Sequence, residues 1–419
     1  MKYQFTNKQI NDTFLTRYAK VIIKMGLNLK KGENLYIITQ IEGVNLAKKV
    51  MEEAYKVGAR KVKFEIQDQS LTKVSYKMEA RDSLKEIPTW YIDKFNSFVD
   101  ENYCYLNILS EDPNIFSDID ASLLSELSVI RKKALKRFYD DTMFNNLRWC
   151  LCAIPNKAWA KEVFKEVSND KQAERLLLEM ILKTMKVNNK SYMKDWKEHF
   201  DLLEKRANYI TQTNFKKFIY KNSLGTNFSI SPIKDYYFAS AREISPKKHI
   251  PFVANLPTEE IFGAPDKNSA NGTVYSSLPL VHNGTIIEDF YLTFKDGKVI
   301  DFNAKKGYDT LKEIINADEG SAYLGEIAFV PYDNNIRKTG RLFFNTLFDE
   351  NASCHLALGD SYPLVKGVDK MTQEEIKKYN LNKSTQHVDF MIGTKDLSII
   401  GITQDDKEIA IFKDGNFVI

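Results

Sequence analysis

Cysteine is scarce in this chain, and its spacing excludes more than its number. The 419 residues hold four, Cys104, Cys150, Cys152 and Cys354, with no CxxC pair. Neither a disulfide framework nor a thiolate metal site is implied. Cys150 and Cys152 lie in Leu147-Arg148-Trp149-Cys150-Leu151-Cys152, which reads as a buried strand where cysteine acts as a small hydrophobe. An uninterrupted apolar run of about 18 residues is also missing, so no bilayer span is expected. The opening Met1-Lys2-Tyr3-Gln4-Phe5-Thr6-Asn7 lacks the apolar core of a signal peptide, which gives a cytoplasmic expectation. No excess of one charge exists: 60 basic residues face 56 acidic ones, and lysine pairs such as Lys30-Lys31 and Lys377-Lys378 are scattered. Without a clustered basic footprint, no nucleic-acid partner is expected. Neither GxGxxG nor GxxxxGK[ST] occurs, which removes the nucleotide-cofactor reading.

Glycine and proline are sparse in one half only. Residues 1–224 hold four glycines (Gly26, Gly32, Gly43, Gly58) and three prolines, whereas residues 225–419 hold fourteen and eight. Few breakers suit long helices, and frequent ones suit short strands and tight turns. A boundary is expected between 215 and 250. In the first half a helical pattern over about 8–25 precedes the apolar run Leu35–Thr39. Helical spacing over 44–57 closes at Gly58, and Val62–Ile66 alternates as a strand. Strand, helix, strand is a βαβ unit, continued by the strand-like Tyr105–Leu109 and Leu147–Ile154. Residues 157–215 read as helical. The second half places Asn283-Gly284, Asp296-Gly297 and Asp414-Gly415 between apolar runs, the signature of type I′ hairpin turns. Helices are expected there at about 307–317 and 372–380. The fold class is therefore α/β: an N-terminal α/β domain with a helical appendage (1–235), then a mixed, strand-rich domain (236–419).

Near the C-terminus, Gln386-His387-Val388-Asp389-Phe390-Met391-Ile392-Gly393 sets a histidine and an aspartate two apart in an apolar, strand-like run. On a strand these side chains share a face. Buried there, each needs a partner, and a metal ion supplies one. The blander reading is a solvent-facing strand edge. Three other segments carry similar groups. His355 heads the apolar run after Asp349-Glu350-Asn351-Ala352-Ser353-Cys354. Glu326 enters Gly325–Pro331, and Glu259-Glu260 lead into Ile261-Phe262. Carboxylates mixed with imidazoles suit Zn²⁺, Co²⁺ or Mn²⁺ better than Ca²⁺. Of the adjacent Glu259 and Glu260 at most one is expected to face a site, the other reading as solvated. His249 and His282 read as surface histidines, and Cys354 as core packing.

The segments Asn255–Pro265 (NLPTEEIFGAP), Gly325–Pro331, Asp349–Gly359 with Tyr362-Pro363, and His387–Gly393 resemble the thermophilic-aminopeptidase family, two-metal exopeptidases related to aminopeptidases T and S. They occur in that family's order. The N-terminal half is similar as well, through Gly26-Leu27-Asn28, Lys31-Gly32-Glu33 and Ala54–Ala59. The resemblance implies that Glu260, Glu326, His355, His387 and Asp389 bind two divalent ions (Zn, Co or Mn), with Glu326 bridging. Between the adjacent glutamates it favours Glu260 and leaves Glu259 solvated. It implies Glu350 as a further ligand or general base, and Tyr362 as a catalytic hydroxyl. It also implies peptide substrates with a free N-terminus and a homodimer; the N-terminal domain, which lacks candidate ligands, is expected to restrict access and support the dimer. One departure is Gly263, where a larger residue is expected, and it bears on pocket shape. Other readings stay open: a dipeptidase or carboxypeptidase, or a metal- or peptide-binding protein without catalysis.

Overall fold

A computed structural model describes residues 3–283 and 285–419. The chain forms two compact units, one comprising Met1–Glu198 with Arg242–Pro257, the other His199–Ala241 with Thr258–Ile419.

In the first unit, strands β1 (Asn34–Gln40), β2 (Lys61–Gln67), β3 (Cys104–Leu109) and β4 (Trp149–Ala153) form a parallel sheet in the order β2-β1-β3-β4. Central β1 is buried from Asn34 through Thr39, as expected of a parallel strand covered on both faces. Helix α1 (Val44–Lys56) connects β1 to β2 and buries Leu46, Ala47, Val50 and Ala54 along one stripe. It stops because Gly58 takes φ 90°. The Ala59 N–H then reaches the Ala54 carbonyl and the Gly58 N–H the Tyr55 carbonyl, each at 3.0 Å, a Schellman ending. The first helical segment also ends at Gly26, with π-helical turns at Gln9–Phe14 and Ile22–Gly26. All four cysteines are free and buried. Among the described residues no helix is long and apolar enough to cross a membrane.

The second unit opens within helix α2 (Tyr192–Thr213) and is dominated by antiparallel strands. Among the described residues nine strands make the larger sheet, including the long hairpin Thr285–Lys295 with Lys298–Lys306. Its turn has Asp296 at φ 49° and Gly297 at φ 87°, and Asp414-Gly415 repeats the pattern at 49° and 71°. Both are the I′ geometry expected of Asp-Gly. Asn283 has φ 47°, and Gly284 lies outside the described residues. Tyr308–Asn316 is helical as expected, but around 372–380 only Gln373–Ile376 is. There Thr372 and Glu375 cap each other, and the chain leaves the helix after one turn.

A second sheet of this unit carries the chemistry. Strands β5 (Ile261–Gly263), β6 (Leu324–Phe329), β7 (His355–Gly359) and β8 (His387–Met391) pair antiparallel in the order β8-β7-β6-β5. One face is apolar: Ile261, Ile327, Phe329, Leu356, Leu358, Val388 and Phe390 are all buried. Phe329 sits among the rings of Phe218, Phe238 and Phe412, with centroids 5.3, 5.2 and 5.9 Å away. Burying each such side chain stabilises by about 1.5–3 kcal/mol. That face fixes the sheet, and strand alternation sends the other residues to the opposite side.

The approach to β8 is clamped by Asp318. Its carboxylate accepts from the Gly320 and Ser321 N–H groups, from the Ser321 and Ser384 hydroxyls, and from the Thr385 N–H and hydroxyl. Fully buried Asn382 adds bonds to the Gly320 and Gly359 carbonyls at 2.8 and 2.6 Å. Burial works to raise the Asp318 carboxyl, but these donors outweigh it and bring it down to about 2. A depressed folded-state pKa contributes stability above the unfolded value of about 3.9, lost as pH falls toward 2. Asp318→Asn should therefore cost about 1–2 kcal/mol at pH 7, allowing for the solvent screening of a half-exposed group. In thermal melts the gap to wild type should close between about pH 4 and pH 2; a constant gap would argue against the charge.

Candidate metal centre

Register decides which side chains meet. Glu326 on β6 stands opposite Ala357 on β7, which stands opposite Asp389 on β8. One row along, Ala328, His355 and Met391 are opposite one another, and His387 pairs with Gly359. Directly opposed residues share a face. So Glu326, His355, His387 and Asp389 project together, separated by the small side chains of Ala328 and Ala357. A register shift between Leu324 and Glu326 marks a bulge in β6, the kind of irregularity that re-aims a side chain. Glu260, immediately before β5, completes the set.

The geometry forms two groups joined by one carboxylate. His355 Nε2 lies 3.2 Å from Glu260 Oε2 and 3.4 Å from Glu326 Oε1. His387 Nε2 lies 3.3 Å from Glu326 Oε2 and 3.2 Å from Asp389 Oδ1. Glu326 thus presents one oxygen to each imidazole. The ligand atoms of Glu260, Glu326 and His355, and those of Glu326, His387 and Asp389, lie within 4.8 Å of one another in each group.

Backbone carbonyls set the imidazole tautomers. His355 Nδ1 is 3.0 Å from the Glu350 carbonyl and 3.1 Å from that of Ser353, and His387 Nδ1 is 2.7 Å from the Asp360 carbonyl. A carbonyl only accepts, so each Nδ1 carries its proton and each Nε2 faces the carboxylates. This is how metal-ligating histidines are oriented. Donors about 2.0–2.1 Å from a tetrahedral ion lie about 3.3 Å apart, and the four contacts match that spacing. A direct charge-assisted N–H···O bond is shorter, about 2.7–2.9 Å.

Electrostatics point the same way. Burial, with Glu326 and Asp389 adding to it, pushes the Glu260 carboxyl up despite His355. Burial followed by the charges of Asp389 and Glu260 drives Glu350 far above the usual carboxylate range. Burial also tends to raise Glu326, yet the two imidazoles outweigh it and bring its carboxyl down to about 2. Burial opposes the charged imidazoles, but the facing carboxylates hold both His355 and His387 well above the ordinary histidine value. Were all four carboxyl groups ionised, they would exceed two charged imidazoles by two, and the raised Glu260 and Glu350 reflect that excess. Divalent cations would offset that excess and release the imidazole protons. The donor set, mixed N and O, fits Zn²⁺, Co²⁺ or Mn²⁺.

Glu350 stands on the turn Glu350–Ala352 that leads to β7. Its Oε1 accepts from Asn351 Nδ2 at 3.3 Å, and Asn351, fully buried, also accepts from the Glu259 N–H at 2.8 Å. Asn351 therefore joins two site segments, a role the sequence signals only by the polar run Asp349-Glu350-Asn351. Tyr362 packs its ring against His387, centroids 5.6 Å apart, and against Phe262 at 6.1 Å.

Two expectations need correcting. Glu259 is 5% exposed, not solvated, and its Oε2 lies 3.4 Å from His199 Nε2, which also meets the Thr258 carbonyl at 2.8 Å. The residue that alternates away from the site is held by a histidine of α2, far off in sequence. Gly263 is on the face away from Glu260 and Phe262. A Cβ there would come within 2.6 Å of the Phe238 ring, so the glycine makes room for a core aromatic and does not shape the site. His249 is exposed, and His282 bonds Asn283. Cys354 exchanges hydrogen bonds with the Val330 backbone, and burial pushes its thiol up to about 12, as core packing requires.

Residues 11–417 match the family model described as thermophilic metalloprotease (M29). Aminopeptidase 2 of Geobacillus stearothermophilus is 34% identical over 404 residues, covering 96% of this chain and 97% of the relative. Aminopeptidase PepS of Streptococcus thermophilus is 35% identical over 406 residues, covering 97% and 98%. The solved structure of wild-type AmpT from Thermus thermophilus superposes with a TM-score of 0.88 at 28% identity, over 97% of this chain and 99% of that one. The opposed rows of carboxylate and imidazole, and a likeness that runs the length of the chain, lead to one assignment: the protein belongs to the thermophilic metalloprotease (M29) family.

Proposed function

We propose that this protein is a metal-dependent aminopeptidase that releases N-terminal residues from peptides. The observation that carries the reading is Glu326, whose two oxygens each face a different imidazole. Family membership and relatives named as aminopeptidases support the activity. In this proposal Glu260, Glu326 and His355 hold one divalent ion, and Glu326, His387 and Asp389 a second.

Bound divalent ions supply Lewis acidity toward the scissile carbonyl and lower the pKa of water. The remaining work falls to the chain. Glu350, on the turn that leads to β7, accepts the proton of the attacking water and hands it to the leaving amine, or serves as a further ligand. Tyr362, beside His387, donates a hydrogen bond to the developing oxyanion. Pairing of the substrate's α-amine with an acidic side chain of the site directs cleavage to the N-terminus.

A cytoplasmic location and a homodimer belong to the same proposal. Restriction of access and support of the dimer are the roles assigned to residues 1–235, with 236–419 carrying the metals.

The chelated protein should leave a leucyl chromogenic amide intact and regain cleavage with Zn²⁺, Co²⁺ or Mn²⁺. The N-acetylated twin should stay uncut. Cleavage of the acetylated form would favour another two-metal peptidase, and bound metal without any cleavage a binding protein. Tyr362→Phe should lower kcat about 10²–10³-fold at full metal content. Glu350→Gln with metal retained and turnover lost marks a base, whereas lost metal marks a ligand. Tyr362→Phe within twofold of wild type would end its oxyanion role. Light scattering at micromolar concentration should give twice the chain mass; a monomer would remove the dimer.

A further inference from the structure

The ligand-bearing face of the four-stranded sheet is not uniformly closed. Glu326, Ala328, His355, Ala357 and Met391 are buried on it, while Phe262, His387 and Asp389 keep partial exposure. Phe262 alone among those three is apolar. Its place follows from register: it stands opposite Ala328, which stands opposite His355. Phe262 therefore shares the face of the ligands and is separated from His355 by one small side chain. Its strand neighbours Ile261 and Gly263 are buried on the other face, where the aromatic core of Phe238 and Phe329 lies. Core packing does not account for a phenylalanine on the polar side of the sheet.

The ring is not isolated. Phe262 meets Tyr362 edge-on at 6.1 Å, and Tyr362 meets His387 edge-on at 5.6 Å. The three rings form a continuous wall running from the part-exposed ligand group to an apolar end. Such a wall, with a few polar groups converging at one end, is how small-molecule sites combine orientation with apolar burial. An aromatic ring left half open next to a reactive centre gains by packing a further apolar group against it.

We infer that Phe262 is the wall that receives the side chain of the residue being released, so that apolar N-terminal residues as large as leucine are preferred over alanine. The inference rests on the aminopeptidase reading. It assigns Phe262 to specificity and leaves the chemistry with the residues already named.

The test is kcat/KM for leucyl and alanyl p-nitroanilides, with metal content measured alongside, for wild type, Phe262→Ala and Phe262→Trp. Phe262→Ala should lower kcat/KM for the leucyl substrate about tenfold or more, chiefly through KM, and change the alanyl substrate less than about threefold. Phe262→Trp narrows the space and should shift the ratio toward alanine as well; it decides the matter if the alanine variant fails to fold. Equal losses on both substrates at full metal content, or an unchanged ratio in both variants, would overturn the pocket while leaving the activity in place. Wild-type protein inert toward both amides would overturn the activity and the inference together.

Discussion

Four carboxyl groups and two imidazoles crowd together at one face of one small sheet, and that crowding is the constraint on which the rest of the site depends. Glu260 and Glu350 come from segments that flank its strands. Like charges in a dry setting raise one another's pKa and resist ionisation. The cluster answers this unevenly. Glu326, faced on both oxygens by imidazoles, is brought down to about 2, while Glu260 and Glu350 are pushed up. A collection so far from neutral persists only because the opposite face of the same strands is held in an aromatic core around Phe329. Strand alternation converts that apolar packing into placement of the polar set. A slip of one residue in any strand would exchange the two faces and bury ligands in the core.

Orientation, as distinct from placement, is coded in the backbone. Both imidazoles are aimed by carbonyl groups, those of Glu350 and Ser353 for His355 and that of Asp360 for His387. No substitution deletes a carbonyl, so the path of the chain through 350–353 and 359–361 matters more than the side chains there. Asp318 and Asn382 hold the strand entrance beside Asp360, and Asn351 fastens the turn of Glu350 to the backbone of Glu259. These are the side chains, two buried amides and one part-exposed carboxylate, whose own hydrogen bonds fix the geometry of others.

What the sequence revealed and what it hid follow from the same distinction. His387 and Asp389 were legible because a period of two in an apolar run is a local pattern, and Asp-Gly marked two hairpins because positive φ is a local demand. The parallel βαβ run and its Gly58 stop were legible for the same reason. Glu259 was misread because its partner, His199, comes from α2, and no local pattern announces that meeting. Gly263 was misread because nearness in sequence to Glu260 says nothing of face, and the ring that needs the space, Phe238, belongs to another segment. The inclusion of Arg242–Pro257 in the first unit leaves no compositional trace. Its ties there combine backbone bonds, Val253 N–H to the Gly26 carbonyl and Leu256 N–H to the Leu151 carbonyl, with side-chain bonds to residues far off in sequence, such as Lys248 to Glu33.

The site is also graded from closed to open. Glu260, Glu326 and His355 are buried, whereas His387 and Asp389 keep partial contact with solvent, as do Glu350 and Tyr362. On the proposed reading a substrate approaches such a face from its open side, where the groups assigned to meet it lie. Glu350, Tyr362 and Phe262 all lie among the part-exposed residues. Ala328 and Ala357, the small residues interleaved among the ligands, serve both ends. A larger side chain at Ala357 would stand between Glu326 and Asp389, and one at Ala328 between Phe262 and His355, since close-packed interiors leave no slack for added methylenes. The face is therefore specified as much by what its alanines leave out as by what its ligands supply.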